Sequence, residues 1–259
     1  MESALDFLAT LGSEQLNLQN IRQEVVSGVP NWVRGDSDKE KLFVQIDPQG
    51  VFPTPNPTDR VFRIMANGMS PGTAESGVSG PVISVESLDQ LRALGEENVR
   101  GKIVMLDYRV FTTYGDLSPI RGSGAVEASR LGAVAYLNRA IAPTSSIGGL
   151  HTGTVWDFPE GVPKIPTACV TIEDAELLTR LLKRGYSLGG TVNLPCRRYE
   201  DRSSRNIIFE IPGSGSRAHE VVLIGGHSGM YCLRDIGVTL YVCLYAAVYA
   251  SMYTSSYLH

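Results

Sequence analysis

"RGKIVMLD" (100–107) and, seventeen residues later, "GAVEASRLGAVAYLNRA" (124–140) decide how this chain folds. In the first, Ile103, Val104, Met105 and Leu106 form an unbroken apolar run between Gly101 and Asp107. Such a run is too short for a globular helix and reads as a strand covered on both faces. The second stretch begins as a helix (124–132) that stops at Gly132 and continues as the strand "AVAYLN" (133–138). Strand, helix and strand in this order predict an α/β fold.

The same alternation extends outward. "GPVISV" (80–85) predicts a strand, and "SLDQLRAL" (87–94) a helix. Ser87 caps that helix with Gln90 three residues on, and Leu88, Leu91 and Leu94 share one face. "TACVTI" (167–172) is a strand, "EDAELLTRLLKRG" (173–185) a helix and "GGTVNL" (189–194) a strand. Glu173 and Asp174 in the first turn and Lys183 and Arg184 in the last suit the helix dipole. Upstream, residues 3–11 predict a short amphipathic helix capped by Ser3, and "KLFVQID" (41–47) a strand. "DPQGVFPTPNPTDR" (47–60) is too rich in proline for a ladder and reads as loop. Downstream, "CRRYEDRSSR" (196–205) reads as a linker before the strands "RNIIFEI" (205–211) and "EVVLIGG" (220–226).

With 259 residues, a core of this size needs no disulfide staples. The net charge of −4, without a long basic run, argues against nucleic acid as a partner. Cys169, Cys196, Cys232 and Cys243 form no CxxC pair, so neither a zinc ribbon nor a disulfide framework is expected. "MESALDFLATLGSEQ" has no basic start and no continuous apolar stretch, so it is not a secretory signal.

Three stretches carry a family resemblance: "NWVRG" (31–35), "HTGTVWDFPEGVPKIPTACVTIEDAE" (151–176) and "EVVLIGGHSG" (220–229). They resemble the carboxypeptidase Q, or plasma glutamate carboxypeptidase, family of dizinc exopeptidases. The stretches "RGKIVMLD", "GAVEASRLGAVAYLNRA" and "PKIPTACVTIEDAELLTRLLKRG" also resemble a protease-associated domain, a lid-like α/β module. The resemblance implies a partial aminopeptidase-like core with such a domain inserted. Residues 1–75 would open the peptidase domain, 76–200 would be the insert, and 201–228 the first core strands. It further implies hydrolysis of dipeptides or short peptides by a zinc-activated water, with two zinc ions per site. The family is secreted or lysosomal. Without a leader in view, this sequence reads as cytosolic or as lacking its true start.

By the same resemblance His227 is the first zinc ligand, set at a strand end where Gly225 and Gly226 let the backbone crowd a metal. The family places an aspartate two residues later, where this chain has Gly229, and an Asp-Asp pair where it has Thr239 and Leu240. No glutamate follows Glu220, Asp235 is the one acid of the tail, and His259 has no motif around it. The expectation is a chain truncated at the metal site, with no catalytic residue assigned, no stable zinc and no activity of its own. The alternative is a non-catalytic interaction fragment built on the protease-associated domain.

Other patterns carry less. "GGHSGM" approaches the G-x-S-x-G nucleophile elbow around Ser228, but Met230 replaces the closing glycine. A Ser228, Asp235 and His259 triad would leave too little chain for its scaffold. His151 reads as part of a surface turn, Asp157, Glu160, Glu173 and Asp174 as solvated or capping acids, and "GSGSR" (213–217) as a plain turn. In the tail (229–259), Tyr241, Tyr245, Tyr249, Tyr253 and Tyr257 repeat every fourth residue. An amphipathic helix would show that spacing, and 236–258 is long enough to span a bilayer, but tyrosines throughout make a poor lipid face. A translated tetranucleotide repeat gives the same period, so the tail is expected to be non-native or disordered.

Overall fold

The structure, a computed structural model, describes residues 2–47, 58–109, 113–141, 148–155, 157–227 and 243–246. The chain divides into two compact units: Asn31–Tyr199, and a second made of Met1–Pro30 with Glu200–His259. The α/β expectation holds.

The unit Asn31–Tyr199 is a closed seven-stranded barrel with helices. Its strands are β2 (Lys41–Asp47), β3 (Thr58–Ala66), β4 (Val78–Val85), β5 (Ile103–Leu106), β6 (Ala135–Arg139), β7 (Thr167–Val170) and β8 (Ser187–Asn193). They follow the order β2-β3-β7-β6-β5-β4-β8, and β8 returns to β2. The pairs β4/β5, β5/β6 and β6/β7 are parallel, while β2/β3, β2/β8, β3/β7 and β4/β8 are antiparallel. Parallel neighbours need crossovers, which α2 (Leu88–Val99) and α3 (Tyr114–Arg130) supply. α4 (Ile172–Lys183) follows β7.

β5 shows why its apolar run is unbroken. Ile103 and Met105 join Leu42, Val44, Ile64, Val82, Leu137 and Val192 in the barrel interior. Val104 and Leu106 face the other way, into a second core with Leu91, Val99, Leu117, Ala125 and Tyr136 of the helical layer and β6. α4 adds Ala175 and Leu178 to the barrel core.

The local signals act largely as read. The Ser87 hydroxyl accepts from the Gln90 N–H, while the Gln90 side chain accepts from the Glu86 N–H, one residue ahead of the cap. Thr171 caps α4 by accepting from the Asp174 N–H. α3 begins ten residues before the expected 124, because Thr113 and Asp116 form a capping box ahead of a Gly- and Pro-containing turn that reads as loop. Its Gly124 is a packing requirement: a Cβ there would lie 2.1 Å from the Tyr136 hydroxyl, which donates to the Ile120 carbonyl at 3.1 Å.

One expectation needs revision: the 196–205 linker is instead the first part of β9 (Arg197–Glu210), which pairs with β1 (Gln19–Val33) in a two-stranded ribbon. From Arg197 to Asn206 every residue but Tyr199 is charged or strongly polar, which suits a ribbon that rests neither face on a core. The compact unit Asn31–Tyr199 takes in β2 and β3, which the sequence placed in residues 1–75. The tail lies outside the described residues except Cys243–Ala246, the strand β11.

The second unit opens with α1 (Glu2–Thr10) and a π turn, Leu11–Gln15. Arg205 of β9 binds Asp6 and donates to Gln23 at 2.9 Å, and Glu210 accepts from Asn20 and Arg22 at 2.6 and 2.7 Å. β10 (Ile224–His227) pairs antiparallel with β11.

Leu178 is fully buried where α4 meets the barrel. Leu178→Ala is expected to cost about 2–5 kcal/mol, read as a fall in the urea midpoint with unchanged slope. A loss below about 0.5 kcal/mol would mean that α4 does not seal this core.

Candidate functional site

His227 is the last residue of β10, with its backbone in register with Cys243. That is the strand-end position from which a ligand side chain could be presented. Ser228, Gly229, Asp235, Thr239, Leu240 and His259 lie outside the described residues. Among the described residues no group of three or more His, Cys, Asp or Glu is placed to hold a metal ion. The donor chemistry agrees with that geometry, since only Asp235 and His259 follow His227 as carboxylate or imidazole. Zinc needs three or four protein ligands, and the described residues bring no such set together, so no chemical step is derived through one.

The barrel unit carries a polar cluster around the chain that leaves β3. Glu40, 2 % exposed, accepts from the Ala66 N–H and from Arg34, both at 3.1 Å. Arg34 also donates to the Ala66 carbonyl at 2.9 Å and lies over the Trp32 ring. The Trp32 indole N–H donates to the Ser70 carbonyl at 2.8 Å, and the Ser70 hydroxyl accepts from the Thr167 N–H at 2.9 Å. Asn67 donates to Asn138 at 2.8 Å, and the Thr152 hydroxyl donates to Asn67 Oδ1 at 2.8 Å. The loop around Thr152 is held to residues 66–68 by Gly68 N–H donating to Gly153 and Val155 N–H to Gly68, at 2.7 and 2.9 Å.

"NWVRG" and "HTGT" therefore have structural work: Trp32, Arg34 and Thr152 satisfy buried backbone and amide groups. His151 is half-buried rather than on a surface turn. Burial, and then the positive charge of Arg121, holds its imidazole below the ordinary range. Burial likewise pushes the Glu40 carboxyl up, against the opposing pull of Arg34. The thiols are pushed up too, Cys169 to about 12 and Cys196 to about 11, so neither is a thiolate nucleophile at neutral pH. Glu173 accepts from the Gly148 N–H, and "GSGSR" contains a 3-10 turn, Gly215–Arg217, as plain a turn as expected.

Sequence reasoning missed the cluster around Glu40. Its signal was thin: a tryptophan and an arginine two apart, and an acid just before a strand, whose partners lie 26 to 38 residues away.

No protein-family model matches the chain. Carboxypeptidase Q of Bos taurus is 36 % identical over 210 residues, covering 81 % of this chain and 40 % of its own length. Carboxypeptidase Q of Homo sapiens is 35 % identical over 216 residues, covering 83 % and 41 %. The solved structure of a peptidase M28 precursor from Shewanella amazonensis SB2B superposes with a TM-score of 0.67 at 28 % identity, covering 82 % of this chain and 45 % of that one. The chain thus spans about two fifths of the length of the curated relatives it matches. At family level it resembles the M28 peptidases and carboxypeptidase Q.

Because the fold favours neutral His151, its stabilising contribution is present above about pH 6.5, where the unfolded imidazole is also neutral. Below that, the unfolded chain takes up the proton more readily, and stability falls as pH drops towards the folded value. Urea titrations between about pH 7.5 and 5.5 should therefore show a loss that His151→Gln lacks. Parallel curves for the two proteins would remove His151 as the cause.

Proposed function

We propose that this chain derives from a zinc metallo-exopeptidase of the carboxypeptidase Q type, acting on dipeptides or short peptides. The observation that carries the reading is the alignment of more than four fifths of the chain with carboxypeptidase Q. In this reading the barrel unit is a protease-associated domain, inserted between the opening of the peptidase domain and its first core strands. His227 is the first zinc ligand of the whole enzyme. This chain lacks the remaining carboxylate ligands and the glutamate that would act as general base on a metal-bound water. It does not hydrolyse peptides by itself.

Calorimetry with zinc, together with dipeptide cleavage assays, tests this. The expected result is no metal-dependent turnover and no stoichiometric zinc binding, with His227→Ala indistinguishable from the parent. Turnover that needs zinc and vanishes in His227→Ala would overturn it.

One observation favours the second reading, a non-catalytic interaction module. The barrel unit owns two hydrophobic cores, both contained within Asn31–Tyr199. A fragment of residues 31–199 is expected to unfold cooperatively with urea as a single domain. Saturable capture of a partner by that fragment would support the module reading. A fragment that stays unfolded would show that the barrel depends on the chain ends.

A further inference from the structure

A second set of charges gathers at the carboxyl ends of the parallel strands. Asp107 directly follows β5 and is fully buried, Arg139 ends β6, and Glu86 directly follows β4. α4 spans these ends. Glu176 in its first half accepts from Arg139 at 3.0 Å, and Lys183 in its last turn donates to Glu86 at 2.5 Å. Asp107 is held from two sides, by Arg139 at 3.0 Å and by Arg109 through two bonds at 3.2 and 2.6 Å.

Between Arg109 and α4 lies a cavity of about 340 Å³ lined by Arg109, Glu176, Thr179, Arg180, Lys183 and Arg184. Four of these six residues are cationic, in a chain whose net charge is −4. The nearby acids are already engaged: Asp107 with Arg109 and Arg139, Glu176 with Arg139, and Glu86 with Lys183. Arg180 and Arg184 make no side-chain ion pair or hydrogen bond among the described residues. They are not needed to cap α4 either. The carbonyls of Arg180, Leu181 and Leu182 already accept from the backbone N–H groups of Arg184, Gly185 and Tyr186. Like charges four residues apart on a helix repel each other, and an anion between them would relieve that repulsion.

We propose that this cavity binds a small ligand through a phosphate-type oxyanion, held by the guanidinium groups of Arg180 and Arg184 with Arg109 opposite. Planar guanidinium forks match the spacing of phosphate oxygens. The cavity is several times larger than a phosphate group, which leaves room for the rest of the ligand. Buried Asp107 positions Arg109 and Arg139 without facing the anion itself, since both its oxygens are occupied by those arginines. The site lies within the barrel unit and does not depend on His227 or on peptidase ancestry.

The test is calorimetric titration of the full chain with inorganic pyrophosphate at constant ionic strength. Saturable one-site binding is expected. It should weaken at least about tenfold in the double variant Arg180→Ala/Arg184→Ala, with circular dichroism unchanged because both residues are exposed. The control double variant Arg100→Ala/Arg130→Ala removes two exposed arginines elsewhere on the same unit and should bind as the parent does. No saturable binding by the parent, or equal weakening in both double variants, would overturn the site. The second of these results would mean diffuse attraction to surface charge.

Discussion

Closure of the barrel between β2 and β8 is the constraint on which the barrel unit rests. β8 bonds to β2 from Lys41↔Asn193 to Asp47↔Ser187, and also bonds to β4. With both of its edges paired, the seven strands leave no open ladder, and their backbone groups are satisfied without solvent. Gly190 lies at the point where this closure brings interior side chains closest. A Cβ there would sit 2.7 Å from Val82 and 3.0 Å from Ile103. The interior at that position is thus filled by neighbouring side chains and has no room for a residue larger than glycine.

Closure also dictates what surrounds the barrel. The parallel strands β4 to β7 must be joined by crossovers, and the helices of those crossovers cover their outer face. β5 is therefore buried twice, with Ile103 and Met105 inward and Val104 and Leu106 outward. At about 1.5–3 kcal/mol for each fully buried large apolar side chain, those four residues are a large part of what links the two cores. The polar cluster around Glu40 and Asn67 does a different job. It ties down segments 34–40, 67–70 and 151–155, which lie outside the named strands. The carboxyl-end charges differ again, because among the described residues two of their arginines have no acidic partner.

The unit containing the chain ends shows the opposite situation. Val221, Val222, Leu223 and Ile224 form an apolar run of the kind found in covered strands, yet all four are exposed. β10 takes only Ile224 from that run. His227 ends β10, and among the described residues no group of three or more His, Cys, Asp or Glu is placed to hold a metal ion. The resemblance to carboxypeptidase Q covers most of this chain and about two fifths of the length of those relatives.

The sequence by itself determined the α/β class, most strand and helix positions between 78 and 194, the cap at Ser87, and the strand-end place of His227. These are local matters, set by apolar runs, periodicity and capping side chains within a few residues of one another. It did not show that 41–66 belongs to the barrel, because ladder partners lie up to about 150 residues away and any apolar strand could serve. Nor did it show that 197–205 is a strand, since a two-stranded ribbon imposes no apolar alternation. The Glu40 cluster and the Arg180–Arg184 cavity were equally out of reach. Only the tertiary structure decides which acid meets which arginine, and so which charges are cancelled and which remain to meet a ligand.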